Sequence, residues 1–253
     1  MFEIAYTQHR GKRNPHQQDA LWNGKASVQG ADIPVSTHRI PDAPILLAVA
    51  DGVAISPMPD RASLFVVKML GMAGAAEAAL TPRRVRSIHG LLCDRYAKGR
   101  TRGSSTTLVA ARCMNDVCEI VNVGDSRAYR ISADHQWQQL SHDHTILNDL
   151  ISSGEAAVDQ EYASFYQGLA HCLIADSEED SFSVHACQTP FLFGDSLLLC
   201  SDGLHDTLGA DRLRSLYKPS VSSLEQVGIW RKAVMTAGAP DNFSILLSRR
   251  LQE

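Results

Sequence analysis

Apolar runs that stop on an aspartate recur three times in this chain: Ala48-Val49-Ala50-Asp51-Gly52, Leu199-Cys200-Ser201-Asp202-Gly203 and Ala239-Pro240-Asp241-Asn242. Runs such as Ile45 to Ala50 and Leu197 to Cys200 read as interior strands. An acid at the tip of such a strand sits at the edge of the core, where it can point into a shared cleft. Aspartate is rarely buried without a partner, and a divalent cation is one such partner. A single Asp-Gly is ordinarily a hairpin turn. These two pairs follow runs too apolar for a solvated turn, and together they suggest one bimetal site built from distant parts of the chain.

Between the acids the pattern alternates strand pairs with helices. Strand-like runs cover Ile45–Ala50, Thr106–Arg112, Val117–Val123, Ala128–Ile131, Ser196–Ser201 and Phe243–Ser248, with Arg112 to Asp116 as a hairpin connection. Helix-like stretches cover Ala62–Leu80, Pro82–Lys98, His144–Ser153 and Ser222–Ala237. Thr81 and Pro82 suit the N-cap and first turn of the second helix, and Gly154 suits the stop of the third. Strands cluster with strands and helices with helices, which argues for antiparallel sheets covered by helices rather than a doubly wound parallel sheet. No linker or repeat divides the chain, so residues 1–253 read as a single domain. The segment from Glu155 to Asp180, with Tyr162, Phe165 and Tyr166, reads as a surface flap beside the cleft.

Composition narrows the partners. A formal net charge of -4 with no basic stripe argues against nucleic acid. The six cysteines form no CxxC pair and several lie in apolar segments, the usage of free thiols in a reducing compartment. No apolar stretch reaches membrane-spanning length, because Lys68 interrupts the longest one, and the N-terminus lacks the features of a signal peptide. A cytoplasmic monomer is the expectation.

The segments with chemical character are, in order, Gln18-Asp19-Ala20, Asp51-Gly52, Gly103-Ser104-Ser105-Thr106-Thr107, Val123-Gly124-Asp125-Ser126-Arg127, Ser141-His142-Asp143-His144-Thr145, Cys200-Ser201-Asp202-Gly203-Leu204 and Asp241-Asn242-Phe243-Ser244. In this order and spacing the chain resembles the metal-dependent serine/threonine protein phosphatases (type 2C, PPM) of bacterial type, over nearly its whole length. That resemblance implies an α+β fold, a four-layer α-β-β-α sandwich of two mainly antiparallel sheets flanked by helices. It implies two Mn2+ or Mg2+ ions bridged by Asp51, with the Gly52 carbonyl completing one coordination sphere and Asp202 and Asp241 on the second ion. Asp19 would hold a water from behind, and Asp125 with Asp202 could take a third, weaker ion. The Gly103–Thr106 turn and Asn242 would shape the strand ends behind the site. The implied reaction is hydrolysis of phosphoserine and phosphothreonine in proteins by a water that two cations make acidic, opposing a bacterial Ser/Thr kinase. Oxygen donors throughout suit hard cations and not zinc.

The chain departs from the family pattern at three places. Val53-Ala54-Ile55 follows Asp51-Gly52 where a glycine pair preceded by Met or His is usual, so no histidine acid stands at position 53. Gln18 replaces a glutamate. Arg13, the candidate clamp for the substrate phosphate, stands six residues before Asp19 where the bacterial pattern has five. Two rival readings follow. A degenerate member would bind phosphoprotein without hydrolysing it. A serine esterase would use Ser126 as nucleophile, His205 as base and Asp202 as orienter. His142 and His144 invite a metal reading, but the better one has Asp143 or Ser141 capping the next helix while the histidines serve structure.

Overall fold

The computed structural model describes all residues except 42–43, 73–77, 159, 161, 180 and 253. Strands β1 (Phe2–His9), β2 (Ala20–Trp22), β3 (Ser27–Val28), β4 (Asp32–Ile40) and β5 (Ile45–Ala50) precede helices α1 (Pro59–Gly71) and α2 (Pro82–Tyr96). A middle group follows: β6 (Ser105–Thr106), β7 (Leu108–Met114), β8 (Val117–Val123), β9 (Arg127–Ile131), β10 (Trp137–Gln139), α3 (Ile146–Ser153) and β11 (Leu173–Ile174). The chain then runs through β12 (His185–Pro190), β13 (Ser196–Cys200), α4 (Asp202–Leu208), α5 (Ala210–Ser215), α6 (Ser223–Thr236) and β14 (Phe243–Arg250).

Two six-stranded sheets result, ordered β10-β9-β13-β14-β1-β4 and β12-β8-β7-β5-β2-β3, with every strand pairing antiparallel. Alternate residues of one strand face different layers. In β5, Leu47 and Val49 meet Phe2, Leu197, Leu199 and Leu246 of the opposite sheet, while Leu46, Ala48 and Ala50 pack under Val66, Leu70, Val85 and Leu92 of α1 and α2. In β13, Leu197 and Leu199 point inward, and Leu198 and Cys200 lie under Leu204, Leu213, Trp230 and Val234 of α4, α5 and α6. Antiparallel strands usually alternate apolar and polar residues because one face is wet. Here both faces are covered, so the runs are apolar throughout. The α+β four-layer sandwich expected from sequence is the fold observed.

The Thr81-Pro82 and Gly154 signals work as read, a capping box on the last helix adds to them, and two expectations are corrected. Thr81 accepts from the Arg84 amide ahead of Pro82, Gly154 closes α3 in the left-handed region at φ 81°, and Ser222 and Glu225 form a capping box on α6. The cap of α3 is Thr145, which accepts from the Asn148 amide; Asp143 and Ser141 are engaged elsewhere. Helix α1 spans Pro59–Gly71 rather than reaching Leu80: proline suits its first turn, and Met72 leaves helical backbone after Gly71. Part of the expected extension, 73–77, lies outside the described residues, as do 159, 161 and 180 of the expected flap. The expected strand from Thr106 divides, since Ser105–Thr106 pairs with β11 and β7 begins at Leu108.

Candidate active site

Four strand ends meet at one end of the sandwich. β5 delivers Asp51, the β8–β9 turn Asp125, β13 Asp202 and the approach to β14 Asp241. These four aspartates, with Gln18, Gly52, Val53, Ala54, Thr107 and Leu169, line a cleft of about 130 Å3. Asp19 is fully buried behind it. The structure thus brings together all the acids that the sequence singled out. Arg13 is exposed at the mouth of an adjoining hollow of about 150 Å3 that shares Asp202 and Asp241 as walls. Its backbone amide donates to the Pro240 carbonyl at 3.1 Å, which fixes the main chain beside that hollow.

The strand ends are pinned by hydroxyls and amides. Thr107 Oγ1 accepts from the Asp51 amide at 3.0 Å, and Thr106 Oγ1 donates to the Asp51 carbonyl at 2.8 Å. Gly52 has no room for a side chain: a Cβ would stand 2.4 Å from the Pro59 carbonyl oxygen and 2.8 Å from that of Gln18. Gly203 is held against the Asn242 carbonyl in the same way, at 1.9 Å. Asn242 accepts from the Gln18 amide at 2.7 Å and donates to the Arg10 carbonyl, tying the segment that carries Arg13 and Asp19 to the start of β14. These contacts explain why Gly, Asn and Thr accompany the acids.

The electrostatics are unbalanced. Among the described residues no lysine or arginine forms an ion pair with Asp19, Asp51, Asp125 or Asp202. The last three retain some exposed surface yet sit deep in the cleft. Burial raises the pKa of Asp19 to about 7, against hydrogen bonds from Ser201 and Ser244 that favour its ionised form. Burial, with repulsion from Asp19, Asp202 and Asp125, pushes Asp51 well above the carboxylate range. Asp125 is raised by burial and by Asp202, and Asp202 by burial first. Neighbouring carboxylates that repel in a recessed pocket favour either a retained proton or a nearby cation.

Asp19 adds a specific sign of fit. Ser201 and Ser244 donate to its Oδ2 at 2.7 and 2.8 Å, while its buried Oδ1 has no partner. A buried carboxylate oxygen left unsatisfied requires an acceptor's complement, and a coordinated water is suited to supply it. No three His, Cys, Asp or Glu side chains among the described residues already surround one point as a finished cage.

Sequence reasoning missed other contributors. Asn14 Nδ2 donates to Asp241 Oδ1 at 2.9 Å, joined by the Asn242 amide at 2.8 Å, so two donors fix that carboxylate. The pairing links positions far apart in the chain, and no local pattern announces it. Leu169 of the expected flap reaches the cleft wall, while Phe165 stays exposed. The esterase reading does not survive the geometry. Ser126 is fully buried and hydrogen-bonded to Thr107 Oγ1 at 2.8 Å, and His205 Nε2 faces the Asp125 carbonyl at 3.2 Å. The histidines serve structure as read: His144 Nδ1 accepts from the Gly124 amide at 3.1 Å, and its ring meets those of His142 and His171.

A fold of two helix-covered antiparallel sheets with an acidic cleft at one end defines a narrow class, and similarity to known proteins points to the same one. The family model described as Protein phosphatase 2C matches residues 35–237. The chain belongs to the protein phosphatase 2C family. It is 29% identical over 216 residues to the serine/threonine phosphatase stp of Listeria monocytogenes, covering 81% of this chain and 84% of that one. Among solved structures it superposes on serine/threonine phosphatase Stp1 from Staphylococcus aureus with a TM-score of 0.78, 21% identity and coverage of 100% and 96%. The catalytic domain of PstP in complex with two manganese ions gives a TM-score of 0.72 and 19% identity, with 100% of each chain covered.

Proposed function

We propose that this chain hydrolyses phosphoserine and phosphothreonine in proteins, using two Mn2+ or Mg2+ ions held by Asp51, the Gly52 carbonyl, Asp202 and Asp241. The observation that carries the reading is the convergence of four aspartates without a compensating cation on one cleft. The similarity to a named serine/threonine phosphatase over most of both chains supports the substrate class. When bound, such ions bring coordinated water toward neutral pKa and offset charge on the phosphoryl oxygens.

The protein's own groups do the rest. Asp51, at the end of β5, neighbours both Asp19 and Asp202 and would hold the ions together with Asp202. Asp19 is oriented through one oxygen by Ser201 and Ser244, and its unpartnered second oxygen is the group that would accept a proton from a water held beside it. Asn14 and the Asn242 amide hold Asp241. Arg13, which lines one hollow with Asp202 and Asp241, would be the group to receive the substrate phosphate. Asp125 faces Asp202, the setting for a third, weaker ion. Residue 53 is valine, so protonation of the leaving serine or threonine oxygen falls to solvent or to a group of the substrate rather than to a side chain there.

The same proposal takes residues 1–253 as one catalytic domain with the 155–180 segment as its flap, supported by the three packed cores sharing strands and by Leu169 at the cleft. It takes the chain as a monomer, since the cleft is complete within one copy, acting in the cytoplasm on substrates of a Ser/Thr kinase. No helix among the described residues is long and apolar enough to cross a membrane. The test is hydrolysis of p-nitrophenyl phosphate and of a phosphothreonine peptide, with EDTA and with excess Mn2+. Turnover of both only with metal is expected. Manganese binding by calorimetry without any turnover would replace this reading with the phosphoprotein-binding one.

A further inference from the structure

The end of the sandwich away from the cleft holds a pair of thiols. Cys113 and Cys118 are direct partners across the β7–β8 hairpin, one residue pair inside its tip, and both are fully buried. Their sulfurs lie 3.0 Å apart, closer than ordinary non-bonded contact. Side chains directly opposite on an antiparallel pair bring their Cβ atoms close to the separation that a disulfide spans. The partner strands are held in one register from Leu108–Val123 to Met114–Val117, so the two thiols are aligned by the whole ladder and not by a loop.

We propose that Cys113 and Cys118 are a covalent modification site, a dithiol that a hydroperoxide converts to an intramolecular disulfide. One sulfur attacks the peroxide, cleaving the O–O bond, releasing water or an alcohol and becoming a sulfenic acid. The second thiol displaces hydroxide from that sulfur, and its proton leaves with the hydroxide as water. The two sulfurs give up one electron each, and the peroxide takes both.

The location sets the behaviour of the pair. Burial and the neighbouring Cys113 hold the Cys118 thiol well above its ordinary pKa, so attack is slow and waits on opening of the hairpin tip. That tip is the exposed part: Met114 and Val117 are 36% and 43% exposed. From Thr107 at the cleft to Cys113 the strand runs about 20 Å, so closure staples the far end of the sheet without moving an aspartate. Cys187, partly buried on the adjoining β12, is the thiol that could compete.

The experiment uses the full chain, reduced, desalted and exposed to hydrogen peroxide without denaturant, then unfolded in excess maleimide. Trypsin releases Cys113–Arg127 as one peptide holding both cysteines and no other. The expected peptide is two hydrogens lighter and unlabelled, returns to double labelling after dithiothreitol, and comes from protein with unchanged phosphatase turnover and a melting temperature a few degrees higher. A doubly labelled peptide after prolonged exposure would overturn the proposal. So would a link from either residue to Cys187, or recovery of the sulfurs as sulfinic acids. The decisive map comes from the unmutated chain, so it does not depend on whether Cys113→Ser folds.

Discussion

Strand β13 carries an aspartate near each end, and the two live under opposite rules. Asp195, just before Ser196, is 2% exposed and fully answered: Arg130 meets it through Nε and Nη2 at 2.9 and 2.8 Å, and the Leu192 and Ala133 amides donate at 2.9 and 3.0 Å. Asp202, just after Ser201, faces Asp51 and Asp125 with no arginine or lysine to balance them. A structural carboxylate is buried with its cation, because an unpaired buried charge costs several kcal/mol. Asp202 is recessed without one, and in the proposed function a cation from solution would supply the missing charge. Arg127 with Asp143 at 2.6 Å repeats the first rule within a few residues of Asp125. The contrast therefore follows role and not region.

The largest expected effect breaks the unbalanced end. Asp51→Asn should lower metal-dependent turnover by at least about 100-fold, roughly 3 kcal/mol of lost transition-state stabilisation. The same change should raise the stability of the metal-free protein, since it removes one of several carboxylates that repel each other. Kinetics with saturating Mn2+ and urea melts in EDTA read the two halves separately. Retained turnover would remove the bridging role. A loss of metal-free stability would mean that Asp51 is as structurally satisfied as Asp195.

The opposite substitution breaks the balanced end. Arg130→Ala leaves Asp195 buried with only two amide donors and should cost about 3 kcal/mol of stability. Turnover per folded molecule should stay unchanged, because the pair lies at the far end of β13. Chemical denaturation and active-fraction titration check this. A neutral melt would show that the amides alone suffice, and the comparison between the two ends would lose its structural half.

How much of this was legible in the sequence also divides along the two ends. The cleft was readable because its acids terminate apolar runs, and buried strands of that length have few alternatives. Both faces of β5 and β13 are covered, so their runs are unbroken and easily seen. β1 and β4 were not expected, and β4 shows why: Asp32–Ile40 alternates exposed and half-buried residues, contains Pro34 and Arg39, and lies at the sheet edge. α4 and α5 were hidden because Asp202 reads as the tip of a buried strand, whereas the acid also opens a helix. The partners of the acids were the least legible. Asn14 on Asp241, Ser244 on Asp19 and Arg130 on Asp195 are contacts made by the sheet's long-range register, which residue spacing does not encode.

The smallest expected effect sharpens the comparison by titration. Asp19 is raised from 3.8 to about 7 in the folded protein. Between those values the folded chain keeps a proton that the unfolded chain has released, so unfolding releases protons and stability falls as pH rises. The contribution is complete below about pH 4 and is lost as pH passes through about 7; Asp51, Asp125 and Asp202 shift in the same direction and add to it. In EDTA the urea midpoint should therefore be higher at pH 5 than at pH 7.5, and Asp19→Asn should flatten that slope. Manganese should reverse the order, because it binds the ionised carboxylates and its stabilisation grows as they lose protons. Arg130→Ala should leave the EDTA slope intact while lowering both midpoints. If Asp19→Asn left the slope untouched, the strain would belong to other groups, and the cleft would be no more unbalanced than the end that Asp195 and Arg130 close.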